Sequence, residues 1–276
     1  MAAQKNSAEV LADARWLEAH RGGVVLIDAR PAAEFWAGHL EGARHFDPFP
    51  FHHSDTTEAG VREFQGQLGW IFSALGLTGG ETAACYENDS GMRATRVAWA
   101  LEYAGHPSVR ILDGGLRNAG GLKLVAAAGP ITPSNFQVKP RADAIAGHPY
   151  IVANLNRPDV QIFDVRSDEE YYGERLRARR GGAIPHAIHR DWTHNLAPNG
   201  AFKPAAQLRE EFEALGLNPD GEIIPYCQGG YRSANAYIAL RIAGFTRVRN
   251  YLGSWGEWGN REDLPIENPR RRTPRS

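Results

Sequence analysis

The chain repeats itself at the scale of a domain. The stretch "VVLIDARPAAEFWAGHLEGARHFD" (24–47) returns as "VQIFDVRSDEEYYGERLRARRGGAIPHAIHRD" (160–191). Each has an apolar, β-branched run ending in Asp-x-Arg, then an acidic-aromatic helix start, then a Gly-containing turn. Asp28 answers Asp164, Arg30 answers Arg166, Tyr86 answers Tyr226, and "SVRILDGGL" (108–116) answers "RVRNYLGSW" (247–255). The offset is nearly constant: 136 from Asp28 to Asp164, 140 from Tyr86 to Tyr226 and 139 from Gly114 to Gly253. That period is too long for a solenoid unit and fits a domain. With 276 residues, the chain holds two.

Within each unit the pattern alternates between strand and helix. "VVLID" reads as a buried parallel strand and "AAEFWAG" as a short helix. "FSALGL" and "EFEALGL" read as helices ended by glycine, with Gly105 and Gly244 suited to the left-handed position past two later helices. "TAACYE" and "EIIPYC" are strands feeding two loops, "RATRVAWALEYAG" and "SANAYIALRIAG" the helices that follow, and "VRIL" and "VRNYL" closing strands. Such alternation predicts an α/β fold: two tandem domains, each a mainly parallel sheet with helices on both faces. The expected division is a first domain over 1–128, a linker over 129–149 with four prolines, and a second domain over 150–276.

The two loops differ in one decisive residue. "YCQGGYRSAN" carries Cys227, whereas its counterpart "YENDSGMRAT" has Glu87 in that place. Cys227 stands at the carboxyl end of a strand and just before a helix, the edge where parallel sheets bind ligands. The glycines of Gln228-Gly229-Gly230-Tyr231-Arg232 permit a tight curl whose N–H groups point inward and hold an anion. The following helix adds its partial positive charge. These effects lower a thiol's pKa and favour the nucleophilic thiolate. The only other cysteine, Cys85, reads as a small buried hydrophobe. Two cysteines build neither a disulfide framework nor a Cys-based zinc site.

Composition excludes other classes. A formal net charge of −1 gives no electrostatic case for nucleic acid or a membrane surface, and no apolar run approaches a membrane span. The amino terminus lacks a signal-peptide pattern, so the expected location is the cytoplasm. The basic tail "RRRTPRS" reads as a solvated, disordered end.

Taken in order, "IDAR", "AGHLEGARHFD", "YENDSGMRATRVAW", "VRILDGGL", "FDVRSDEEY", "YCQGGYRSA" and "VRNYLGSWGEWGN" resemble the tandem-domain rhodaneses, sulfurtransferases of the thiosulfate and 3-mercaptopyruvate group. The resemblance spans about residues 8 to 268. It implies two rhodanese-like domains, the first without a nucleophile, and a ping-pong cycle needing no metal or organic cofactor. Cys227 would carry the sulfur as a persulfide. The backbone from Gln228 through Gly229, Gly230, Tyr231 and Arg232 to Ser233 would form the cradle, with Arg232 as anion partner. The partners implied are a small-molecule sulfur donor and an acceptor, either cyanide, a small thiol or a protein.

Departures from the family's patterns bear on the donor. The loop is neither the Gly-Ser-Gly-Val-Thr of mercaptopyruvate enzymes nor the Arg-Lys-Gly-Val-Thr of the thiosulfate enzymes. It is similar to a bacterial Arg-x-Gly-Glu-Arg subgroup, with Arg232 last. Glu170 stands where the mercaptopyruvate group has a substrate-binding arginine, and an acid there is expected to repel an α-keto carboxylate. Both favour thiosulfate. Cys227 to Arg232 is Cys-x4-Arg, one residue shorter than the loop of cysteine phosphatases on this fold. In "GGAIPHA" (181–187) the usual His and Gly are exchanged, and His186 is expected to be exposed. His52 and His53 are read as solvated loop residues, with reach to the cleft as the alternative. Trp255 and Trp258 are read as core packing, with a pocket wall as the alternative.

Overall fold

The computed structural model describes residues 10–270; the amino terminus, and the basic tail beyond its first arginine, lie outside the described residues. The first half runs β1 (Leu11–Ala12), α1 (Ala14–His20), β2 (Val24–Asp28), α2 (Ala32–Ala37), β3 (His39–Leu40), β4 (Arg44–His45), α3 (Glu58–Ala74), β5 (Thr82–Tyr86), α4 (Met92–Tyr103), β6 (Val109–Leu112) and β7 (Leu124–Val125). The second runs β8 (Ile145–Ala146), α5 (His148–Asn154), β9 (Val160–Asp164), α6 (Asp168–Tyr171), β10 (Ile188–His189), α7 (Ala205–Ala214), β11 (Glu222–Tyr226), α8 (Arg232–Ile242), β12 (Arg247–Val248), β13 (Asn250–Tyr251) and α9 (Ser254–Trp258). Among the described residues no helix is long and apolar enough to cross a membrane.

The two larger sheets are parallel, and β3 pairs with β7 antiparallel in a small one. The first has order β1-β6-β5-β2-β4 and the second β10-β9-β11-β12. The apolar runs of β2 and β9 are interior strands, and the last three residues of each are buried. The expected "VRNYL" strand is broken. Arg249 separates β12 from β13, and β13 pairs instead with β8, from the end of the 129–149 stretch.

The Asp-x-Arg motif explains itself in the structure. Arg30 Nη2 lies 2.6 Å from Asp28 Oδ2 and donates to the carbonyl of Gly38 at 2.7 Å. Arg166 does the same with Asp164 at 2.5 Å and Gly182 at 2.7 Å. Each buried guanidinium therefore staples a strand end to the Gly-containing turn beyond it. His186 is exposed and sits at φ 63°, close to the 78° of its counterpart Gly42. Ala183, 1 % exposed, takes the buried place that His39 has in the first unit.

The two units share one apolar core. Phe72, Trp99 and Ile27 of the first join Phe163, Phe212 and Tyr237 of the second in a continuous cluster, with α4 against α8. Glu102 on α4 receives Arg241 and the hydroxyl of Tyr237 from α8. Residues 128–141 have no regular structure and lie on the first unit. Ser134 N donates to Ser73 O, Lys139 N to Ala104 O and Arg141 N to Tyr103 O. Phe136 anchors the segment edge-on to Phe72.

Gly105 has φ +86°, and a Cβ there would lie 2.4 Å from the Lys139 carbonyl; Gly216 has φ +92° with open space around it. Gly216→Ala should cost only the backbone strain, about 1 kcal/mol. Gly105→Ala must also displace the overlying segment. Urea unfolding followed by tryptophan fluorescence should show the larger loss for Gly105→Ala; equal losses would show that the segment yields freely.

Candidate active site

Strand β11 delivers Cys227 to the carboxyl edge of the second sheet, and the chain then curls into α8. The curl keeps its shape because its carbonyls are engaged from outside. Trp255 N donates to Cys227 O at 2.9 Å and Gly256 N to Gln228 O at 2.7 Å. The Gly230 carbonyl accepts from Asn250 Nδ2 at 3.2 Å and from Arg96 Nη1 at 3.3 Å. The N–H groups are left facing the sulfur. Gly230 N donates to Cys227 Sγ at 3.2 Å, and donors of Gly229 and Ser233 act on the same atom. Gly230 is required here: its φ is +83°, and a Cβ would lie 2.6 Å from the Leu252 carbonyl. Ser254, at φ 52°, accepts from Cys227 N at 3.1 Å and donates to Tyr251 O at 2.8 Å.

Cys227 is 1 % exposed, and burial by itself pushes its thiol up. The charge of Arg232 and the donors of Ser233 and Gly229 outweigh that, so the thiol lies below its ordinary value. Cys85 has no such donors: burial, with the charge of Glu102, pushes its thiol up. The cysteine expected to be inert and the one expected to be activated thus diverge in opposite directions.

Glu170 corrects an expectation. It is not a free acid facing the substrate. Arg232 Nη1 donates to its Oε2 at 2.6 Å and Arg232 Nη2 to its Oε1 at 2.9 Å, with Arg177 Nη1 at 3.8 Å. Burial pushes the Glu170 carboxyl up, but Arg232 and the Ser167 N–H hold it down at about 2. A depressed carboxyl keeps its ion pair as pH falls until about 2, so Arg232 stays oriented at any working pH. The argument that Glu170 repels a keto acid therefore loses its force, because the charge is already matched.

The first unit walls the loop. Tyr231 donates its hydroxyl to Pro48 O at 3.1 Å, and Phe49 stacks on its ring at 4.5 Å between centroids. His52 is exposed, as expected, and also reaches the loop: its Cε1 lies 2.7 Å from the Cβ position of Gly229, so alanine there must push the imidazole aside. Burial, then the charges of Arg96 and His53, push His52 below its ordinary pKa and favour the neutral ring. His53 turns away, toward the Asp55 carbonyl and the ring of Phe64. Gln228 donates to Arg177 O at 2.9 Å. Trp255 and Trp258 are 1 % and 0 % exposed in the second unit's core. The sequence reading missed Arg96, Asn250 and Ser254. Only Arg96 left a signal, a basic residue set among Ala94, Val97, Ala98 and Trp99 of its helix.

In the first unit, Glu87 does not stand at an open mouth. Its Oε1 accepts from the N–H groups of Arg93 and Ala94, both at 2.8 Å, so the carboxylate fills the cradle at the start of α4. Burial raises its carboxyl to about 7 against the pull of these donors. The neighbouring Ser90 is an interdomain contact: its N–H donates to Gly200 O at 2.8 Å and its carbonyl accepts from Asn235 Nδ2 at 2.8 Å.

Comparisons with known proteins agree with this architecture. The model of the rhodanese-like domain matches residues 13–119 and again 149–261. A thiosulfate sulfurtransferase of Azotobacter vinelandii is 33% identical over 251 residues, 88% of this chain and 91% of that protein. Another from Corynebacterium glutamicum is 32% identical, over 94% of this chain and 90% of its own. The sulfur carrier protein TtuD of Thermus thermophilus is 29% identical over 94% and 96%. Among solved structures, the anaerobic ergothioneine biosynthesis enzyme of Chlorobium limicola superposes with a TM-score of 0.84 at 21% identity, covering 95% of this chain and 70% of that one, a likeness of fold. The chain belongs to the rhodanese family of sulfurtransferases, with two rhodanese-like domains in tandem.

Proposed function

We propose that the protein is a thiosulfate sulfurtransferase that carries sulfur on Cys227. The observation that carries this reading is the convergence of the loop's N–H donors on a buried Sγ whose thiol is held low. The Cys227 thiolate attacks the outer sulfur of thiosulfate. A new S–S bond forms to Cys227, the old one breaks, and sulfite leaves with its electron pair. The persulfide's terminal sulfur is anionic, and the donors of Gly229, Gly230 and Ser233 are placed to stabilise it. Cyanide or a thiolate then attacks that sulfur, and the Cys227 thiolate is regenerated.

Gln228 and Tyr231 shape the cradle. Gln228 is tied to the 175–179 segment and Tyr231 to the first domain. Arg232, held by Glu170, contributes a fixed charge beside the sulfur. The likeness to a sulfur carrier supports a protein thiol among the acceptors, and 3-mercaptopyruvate is the competing donor.

Steady-state assays with cyanide as acceptor test the assignment. Thiosulfate should exceed 3-mercaptopyruvate in kcat/KM by about tenfold or more, roughly 1.4 kcal/mol of transition-state preference. The reverse order would keep the family and overturn the donor. Cys227→Ala should lose turnover with either donor, and retained activity would end the proposal. After treatment with thiosulfate, mass spectrometry should find one added sulfur on the Cys227 peptide and none on that of Cys85. Sulfur on both would remove the claim of one activated thiol.

A further inference from the structure

The charges around Cys227 do not balance where the sequence suggests. Arg232 gives both ends of its guanidinium to Glu170, which offsets part of its charge, yet it remains the strongest charge acting on the sulfur. Asp47 and Arg93, both near Tyr231, pair with each other at 3.3 Å. His52 favours its neutral form. One cation facing the loop lacks a counterion, and it comes from the domain without a nucleophile. Arg96, on α4, is 3 % exposed. Its one hydrogen bond among the described residues goes to the Gly230 carbonyl, and no carboxylate pairs with it there. It lies over the rings of Trp99, Tyr231 and Phe64 at 4.7, 5.0 and 5.6 Å. A buried, unpaired guanidinium is costly, and aromatic faces recover only part of that cost.

The internal repeat supplies a control. Position 96 plus the offset of 139 is Asn235 on α8. Asn235 does the mirror-image job, donating its amide to the Ser90 carbonyl in the opposite loop. A neutral amide therefore suffices to tie one domain's helix to the other's loop. Where the facing loop carries Glu87, the tie is neutral; where it carries Cys227, the tie is charged. The structural task does not require the charge.

We infer that Arg96 is a cross-domain positioning residue whose charge holds Cys227 as thiolate and, after transfer, as persulfide anion. The inference rests on the proposed role of Cys227 as sulfur carrier. It also gives the first domain a part in the chemistry: its charge enters the loop through the Gly230 carbonyl, without touching the donor.

The test is a pH titration of thiolate ultraviolet absorbance, each variant taken against the same variant carrying Cys227→Ala. Arg96→Gln supplies the neutral amide that the other loop tolerates. It should move the Cys227 midpoint up by about one pH unit, about tenfold less thiolate at a pH below both midpoints. Arg96→Lys should keep the midpoint within a few tenths of wild type, although it loses the planar fork. A folded Arg96→Gln protein with an unmoved midpoint overturns the inference. If Arg96→Gln does not fold, Arg96→Lys decides: a midpoint raised by a full unit would mean that geometry and not charge is at work. Sulfur loading of the wild type, read by mass, tests the carrier role separately, so the two failures are distinguishable.

Discussion

A cradle of N–H groups exists only if the carbonyls on the same peptide units are satisfied elsewhere, and this constraint organises the second domain. The carbonyls of Cys227 and Gln228 are taken by the first turn of α9, and that of Gly230 by Asn250 and Arg96. With the Gln228 carbonyl engaged outward, the Gly229 N–H on the same peptide unit is turned toward Sγ. The conspicuous "GSWGEWG" stretch thus acts on the site through its backbone, while its two tryptophans are buried in the core. Gly256 fits the same scheme: a Cβ there would lie 2.8 Å from the Gln228 carbonyl it must bond.

The duplication explains how one copy can lose its chemistry and still be retained. In the first domain the Glu87 side chain fills the cradle, and the loop around it docks the second domain through Ser90. In the second, the anion is the sulfur, and the first domain's loop residues Pro48, Phe49 and His52 close over it. Each loop is covered by the other domain, and the apolar cluster across α4 and α8 is common to both. A neutral amide on one side of this pseudo-symmetric joint and a guanidinium on the other is the asymmetry that matters to the thiol.

Much of the fold was legible because the repeat compares the chain with itself. Strand and helix order, the turn glycines and the two loops followed from aligned pairs such as Asp28 with Asp164 and Tyr86 with Tyr226. The break at Arg249 was not legible, since "VRNYL" has the apolar pattern of one strand. Its division depends on β8 offering a second partner. His186 was readable as exposed, but its left-handed backbone only emerged once Gly42 could be compared in three dimensions.

The sequence by itself determined the architecture and the family and singled out Cys227 as the proposed sulfur carrier, because periodicity, turn residues and loop length are local properties. Only the tertiary structure decided the electrostatics of "YCQGGYRSAN". Glu170 is 62 residues from Arg232 along the chain and fixes its guanidinium; Arg96 is 134 residues from Gly230 and brings a second charge to the loop. His52 reached the loop and His53 did not, although they are neighbours in sequence. Charge balance in a buried site depends on distances across the interior, and those distances are set by how two domains pack.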